Sequence, residues 1–278
     1  YFGLGASPHF VDLDLVCRGP LCRQAEQGFE LFWRSRWSHP IRRLLRRPLL
    51  PAEIHVVNDF LLTLTDPVVA MVYDLPASLF DGVPVPLGWH PGFGECWFDR
   101  PGKGLISRPT TALRLGRKLA GNRETLRLVS PYLILTRSLR RHLKRQRQAG
   151  VGIEILTNSL ASTDVPLVYG AYRRHRPWLE RQGIVLAELA GEAHSLHAKL
   201  ILMGEEEALL GSFNLDPRSL MLNTELMLHL RCTALCAELR HWLCGWQQAA
   251  AHPVVAPPST LRRLLARLSD WLPLHPWL

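Results

Sequence analysis

From Leu126 onward the apolar pattern switches regularly between strand-like and helix-like periods, and nothing else in the chain limits its fold as strongly. Leu126 to Val129 reads as a buried strand, and Thr136 to Gln148 as a basic helix that Gly150 can end. Val151 to Thr157 is a second strand. A helix opened by Thr163 or Asp164, with Pro166 in its first turn, closes near Gly183. Ile184 to Leu189, Leu196 to Met203 and Leu222 to Leu230 read as further strands, and Ala234 to Ala250 as a helix before Pro253, Pro257 and Pro258. Strand and helix in alternation predict an α/β architecture, a sheet flanked by helices.

Before that region the chain is broken up by prolines from Pro40 to Pro101 and reads as a connector with short strands. The apolar run Phe60 to Phe80 contains Asp66, Pro67, Asp74 and Pro76, so it falls short of the roughly 20 residues a membrane span needs. With 47% hydrophobic residues in 278, the chain can bury a real core. Lys and Arg outnumber Asp and Glu by 33 to 24, which favours an anionic partner without choosing between a lipid surface and nucleic acid. Six cysteines form no C-x-x-C pair. They predict reduced cytoplasmic thiols and no metal site.

The chemistry-bearing stretch is Ser195 to Glu225. His197 and Lys199 are two apart on a predicted strand, so both side chains leave one face. A neutral imidazole can attack phosphorus or pass a proton while the ammonium holds anionic oxygens. Gly211, Ser212, Phe213 and Asn214 follow the return strand, where a hydroxyl and an amide can donate to the same phosphate. Either pair alone is ordinary on a strand edge; the ordered set is not.

This series resembles the phospholipase D superfamily, whose motif runs H-x-K-x4-D and then G-S-x-N. The D-P-R-S run from Asp216 and the N-T-E run ending at Glu225 resemble its cardiolipin synthase-like branch. The resemblance extends to S-P-Y at Ser130 to Tyr132, T-N-S-L at Thr157 to Leu160, and F-V-D-L-D and G-P between Phe10 and Pro20. It implies a mixed sheet flanked by helices and an active site made from two motifs in pseudo-twofold halves. One histidine forms a phosphohistidine and the other protonates the leaving alcohol, with no metal or other cofactor. The implied catalytic residues are His197, Lys199, Ser212, Asn214, Glu225 and Asp12. Across the two halves Asp12, with Asp14 as the alternative, is expected to orient His197, and Glu225 the histidine of the other motif.

Two departures stand out. The position five after Lys199 is Gly204 where the family has Asp, and no first H-x-K motif is read ahead of His197. Tyr1 and Phe2 resemble the residues that follow that first motif, so it is expected upstream. The fold expected is therefore a complete second half with a truncated first one. Its parts are residues 1–47 as a remnant of the first half, 48–124 as the connector, 125–252 as the second half and 253–278 as a C-terminal amphipathic segment. In that segment Leu261, Leu264, Leu265 and Leu268 share one face, with Arg262, Arg263 and Arg267 around it and Trp271 and Trp277 beyond, the composition of an interfacial helix or of a docked terminal one.

The resemblance implies a phosphatidyltransferase acting on anionic phospholipids, with phosphatidylglycerol as acceptor beside a phosphatidyl donor. It also implies the upstream half of the same protein as partner, and peripheral contact with the cytoplasmic face of the bacterial inner membrane. A phosphodiesterase or nuclease, or a catalytically silent membrane-surface module, are the alternatives. The basic clusters lack the interleaved aromatics that stack bases, which argues against nucleic acid.

Overall fold

A computed structural model describes residues 9–40, 43, 51, 54–55, 89–191, 193–251 and 259–271. Tyr1, Phe2, the run Phe60 to Phe80 and Trp277 lie outside them.

A seven-stranded mixed sheet carries the molecule. Strands β3 (Leu126–Val129), β4 (Ile153–Asn158) and β5 (Val185–Leu189) are parallel and occupy one side. β7 (Leu200–Met203), β8 (Glu207–Gly211) and β9 (Leu226–Arg231) form an antiparallel meander that joins them through β7 against β3. β2 (Phe93–Phe98) closes the other edge antiparallel to β9, giving the order β2-β9-β8-β7-β3-β4-β5. A separate two-stranded ladder pairs β1 (His9–Val11) in parallel with β6 (His194–Leu196).

Both sheet faces are apolar because both are covered. On one face Leu126, Leu128, Ile153, Ile155, Ile201, Met203, Leu209 and Met227 meet α2 (Thr110–Gly121), α3 (Arg137–Gln148), α4 (Pro166–Arg173) and α5 (Arg176–Arg181). On the other, Val129, Leu156, Leu200, Leu202, Ala208 and Leu210 meet Cys236, Leu239 and Leu243 of α7 (Thr233–Ala251). Thr136 caps α3 by accepting from Leu139 N at 3.2 Å, and Gly150 at φ 82° ends its turn.

Residues 93–121, within the stretch read as a connector, supply the edge strand β2 and helix α2. The N-terminal helix α1 (Pro20–Trp33) packs on β2, where Gln24 Oε1 accepts from Cys96 N at 2.9 Å. All six cysteines are free thiols.

Three element boundaries differ from the sequence expectation. The helix expected up to Gly183 is two, α4 and α5, because Pro177 has no N–H to bond the Arg173 carbonyl. The strand expected over Leu196 to Met203 is also two: β6 pairs with β1, and the chain crosses at 197–199 into β7. Finally, β9 starts at Leu226, because Leu222 and Asn223 donate to the Arg218 carbonyl and finish a short helix, α6 (Pro217–Met221).

Candidate active site

His197 sits at the crossing between the small ladder and the large sheet. Its backbone N and that of Ala198 both donate to the Val11 carbonyl, at 2.8 and 2.9 Å. The parallel register His9↔His194, Phe10↔Ser195, Val11↔Leu196 then sets Asp12 beside His197. From the other side Asn158 of β4 bonds both backbone groups of Leu196, with Oδ1 accepting at 2.8 Å and Nδ2 donating at 2.9 Å. The Phe10 ring meets the imidazole edge-on at 5.5 Å.

Asp12 Oδ2 is 2.8 Å from His197 Nδ1, and Lys199 Nζ is 2.9 Å from Nε2. That pattern assigns the proton to Nδ1, donated to the carboxylate, and leaves the Nε2 lone pair accepting from the ammonium. Lys199 also donates to the His197 carbonyl at 2.5 Å. Burial pulls the Lys199 ammonium below the usual lysine range, opposed by the carboxylates of Asp12, Glu225, Asp164 and Asp216. Both side chains therefore face one spot, as their spacing predicts, although they lie in the crossing and not on one continuous strand.

Across β8, Ser212 donates to Glu225 Oε2, and Leu226 N donates back to Ser212 Oγ at 3.0 Å. Burial raises the Glu225 carboxyl above its ordinary value, with Ser212, Ser219 and Lys103 pulling it down. Asn214 is placed by its backbone N, which donates to Ser219 Oγ at 3.1 Å. Its Oδ1 is buried without a hydrogen-bond partner. Asp216 accepts from Ser219 N at 2.7 Å to start α6, and burial pushes its carboxyl up to about 6. The S-P-Y segment closes on this loop: Ser130 Oγ accepts from Leu215 N at 3.0 Å, and Tyr132 donates to Asp164 at 2.9 Å.

The structure thus brings Asp12 and Lys199 to His197, and Ser212 to Glu225. The carboxylate on Nδ1 is that of Asp12, not of Asp14. Gly204 forms the β7–β8 turn at φ 61°, about 17 Å along the chain from Lys199 by strand rise. A positive φ suits glycine there.

The H-x-K spacing recurs once, at His142 and Lys144, which the sequence reading leaves out. These two are on helix α3, where residues two apart leave different faces. His142 lines a crevice beside Gly116 and Lys144 is exposed. Burial and the neighbouring Arg145 and Arg141 lower the His142 pKa.

Sequence reasoning missed Asp99, Lys103 and Ser219, which lie beneath the Ser212–Glu225 side. Asp99 and Lys103 form an ion pair at 2.7 Å with fully buried side chains. Only the separation of the two by four residues hints at a pair.

Among the described residues, no group of three or more His, Cys, Asp or Glu side chains could hold a metal ion. No described helix is long and apolar enough to cross a membrane.

Residues 115–245 match the family model described as cardiolipin synthase, PLD-like domain. They form a phospholipase D-like domain of the cardiolipin synthase-like branch. Cardiolipin synthase C of Escherichia coli (strain K12) is 32% identical over 255 residues, covering 81% of this chain and 52% of that protein. A cardiolipin synthase of Alkalihalophilus pseudofirmus is 27% identical over 140 residues, 49% of this chain and 27% of that one. The chain thus spans about half the length, or less, of these relatives. The phosphatidylserine synthase structure of Haemophilus influenzae Rd KW20 superposes with a TM-score of 0.53 at 16% identity, covering 70% of this chain and 49% of that one. That likeness is one of fold, a mixed sheet flanked by helices.

Proposed function

We propose that this phospholipase D-like domain is one half of a phosphatidyltransferase of the cardiolipin synthase type. The observation that carries the reading is the array Asp12–His197–Lys199, an imidazole oriented by a carboxylate and capped by an ammonium. With its proton held on Nδ1, His197 offers Nε2 either to attack phosphorus or, once protonated, to donate to a leaving oxygen. Lys199, with Ser212 and Asn214, supplies donors for the phosphate oxygens.

In the first step a histidine nitrogen bonds to phosphorus. The bond to the head-group oxygen breaks, and the leaving alkoxide takes a proton from a second histidine. A phosphatidylglycerol hydroxyl then gives its proton to that second histidine and attacks phosphorus, releasing the first and forming cardiolipin. His197 fills one of the two roles. The other belongs to a second motif in an upstream half of the same protein, where Glu225 would serve its histidine as Asp12 serves His197.

Peripheral contact with a lipid surface at the cytoplasmic face of the bacterial inner membrane goes with this role. Helix α8 (Thr260–Trp271) is docked by Arg262, which donates to the Thr163 and Leu160 carbonyls, and by buried Ala266. Leu261, Leu264 and Leu268 remain exposed, as do Arg263 and Arg267. The helix is thus docked on one side and leaves an apolar side free for the interfacial role we propose. Apolar side chains flanked by arginines suit an anionic lipid interface.

The test is cardiolipin formation from phosphatidylglycerol vesicles by the full-length protein. His197→Ala is expected to abolish transfer with thermal unfolding nearly unchanged. Lys199→Ala is expected to cost on the order of 100-fold or more. Turnover by His197→Ala within about tenfold of wild type would reject the assignment, and release of phosphatidic acid in place of cardiolipin would mark a hydrolase. The second histidine is needed beside His197, since losing a general acid costs on the order of 10²–10⁴-fold.

A further inference from the structure

We infer that the buried pair Asp99–Lys103 is a positioning device for the Ser212–Asn214–Glu225 side of the site. The inference rests on the proposed function only in taking those residues to face the phosphate. Both charged side chains are wholly shielded from solvent, 2.7 Å apart. Asp99 and Lys103 also lie upstream of residues 115–245, the part that matches the family model.

The carboxylate of Asp99 has four donors. Oδ2 accepts from Lys103 Nζ and, at 3.1 Å, from Glu225 N, while Oδ1 accepts from Thr111 N at 2.9 Å and Thr110 Oγ1 at 3.2 Å. Asp99 N in turn donates to the Glu225 carbonyl at 3.0 Å, so the backbone of Glu225 is held from both sides by one residue. Lys103 Nζ donates at 2.7 Å to the carbonyl of Ser219, the residue whose hydroxyl receives Asn214 N. The same ammonium sits 5.8 Å from the centre of the Phe213 ring, between Ser212 and Asn214. One ion pair therefore holds Glu225 directly and Asn214 through Ser219, two points of the segment that runs from Ser212 to Glu225.

A buried ion pair adds little net stability, since desolvating both charges offsets their attraction, and well-packed apolar residues of equal volume often serve as well. Apolar residues could not bond Ser219 O or Glu225 N. What the charges add here is direction. They also act on the side chain they position in opposite directions: burial raises the Glu225 carboxyl, Lys103 lowers it and Asp99 raises it.

A single substitution would leave an unpaired buried charge and could unfold the protein, so the deciding variant is the double Asp99→Asn/Lys103→Met in the full-length protein. Lys118→Met, which removes the partly exposed Lys118–Glu207 pair, is the control. We expect the double variant to fold, with kcat on phosphatidylglycerol vesicles lower by on the order of 10- to 100-fold and KM within about threefold, because misplacement of site groups by an ångström has effects of this size. Amide exchange should speed up at Glu225 and Asn214 while the β7 and β8 amides stay protected, and the control should behave as wild type. Wild-type kcat in the double variant overturns the inference. So does a parallel loss of kcat, KM and protection throughout the sheet, the mark of a merely structural pair. If the wild-type protein forms no cardiolipin, the proposed function fails and the exchange measurement decides alone. Selective opening at Glu225 and Asn214 then supports positioning, and unchanged protection rejects it.

Discussion

Asn158 holds Leu196 by both of its backbone groups, accepting from N at 2.8 Å and donating to O at 2.9 Å, one residue before the catalytic candidate His197. Both residues are buried. Asn158→Ala would leave an orphaned N–H and C=O, each costing about 1–3 kcal/mol. Urea unfolding is therefore expected to show a loss of about 2–6 kcal/mol, with activity falling through displacement of the imidazole. A loss below about 1 kcal/mol would mean that water replaces both bonds.

In the proposed function Asp12 acts on His197 through the tautomer. In Asp12→Asn the amide can present its N–H to Nδ1, which would move the ring proton to Nε2 and remove the lone pair facing the phosphate. Turnover by the full-length protein is expected to fall on the order of 10²–10⁴-fold with unfolding unchanged. An Asp14→Asn variant should keep most of its activity. The reverse ranking would give the orienting role to Asp14.

Asp216 makes stability depend on pH. Its carboxyl is raised to about 6 from the ordinary 3.8, so between these values the folded protein keeps a proton that the unfolded chain releases. Stability then falls as pH rises from 4 to 6, by up to about 3 kcal/mol. Asn is an equally good first-turn acceptor. Asp216→Asn should therefore match wild type near pH 4 and exceed it increasingly up to pH 7. Chemical denaturation across that range checks it, and a constant difference would contradict the raised carboxyl.

The exposed stripe of α8 predicts lipid binding. Changing Leu261, Leu264 and Leu268 together to Ser should weaken co-sedimentation with phosphatidylglycerol vesicles by about tenfold or more with little change in unfolding, since these side chains are exposed. Binding of the unaltered protein should weaken as salt rises and be poorer to zwitterionic vesicles. Vesicle binding indifferent to both changes would place the lipid contact elsewhere.

The sequence by itself determined the layer architecture, because strand and helix periods are local properties that survive in one dimension, and it supplied the chemical alphabet of the candidate site in His197, Lys199, Ser212 and Asn214. Tertiary structure decided what those residues meet. The contact between Asp12 and His197 joins residues 185 apart through the parallel pairing of β1 with β6, which no local periodicity encodes. The same pairing splits the strand read over Leu196 to Met203, since Val11 takes the amides of His197 and Ala198 out of the large sheet. Asp99 and Lys103 sit in a proline-broken stretch without a recognisable pattern. They matter because β2 adds to the edge at β9 and carries them beneath Glu225 and Ser219. For α8 the sequence showed an amphipathic helix but not which side it buries. That depended on the Thr163 and Leu160 carbonyls, acceptors that only the folded chain presents to Arg262.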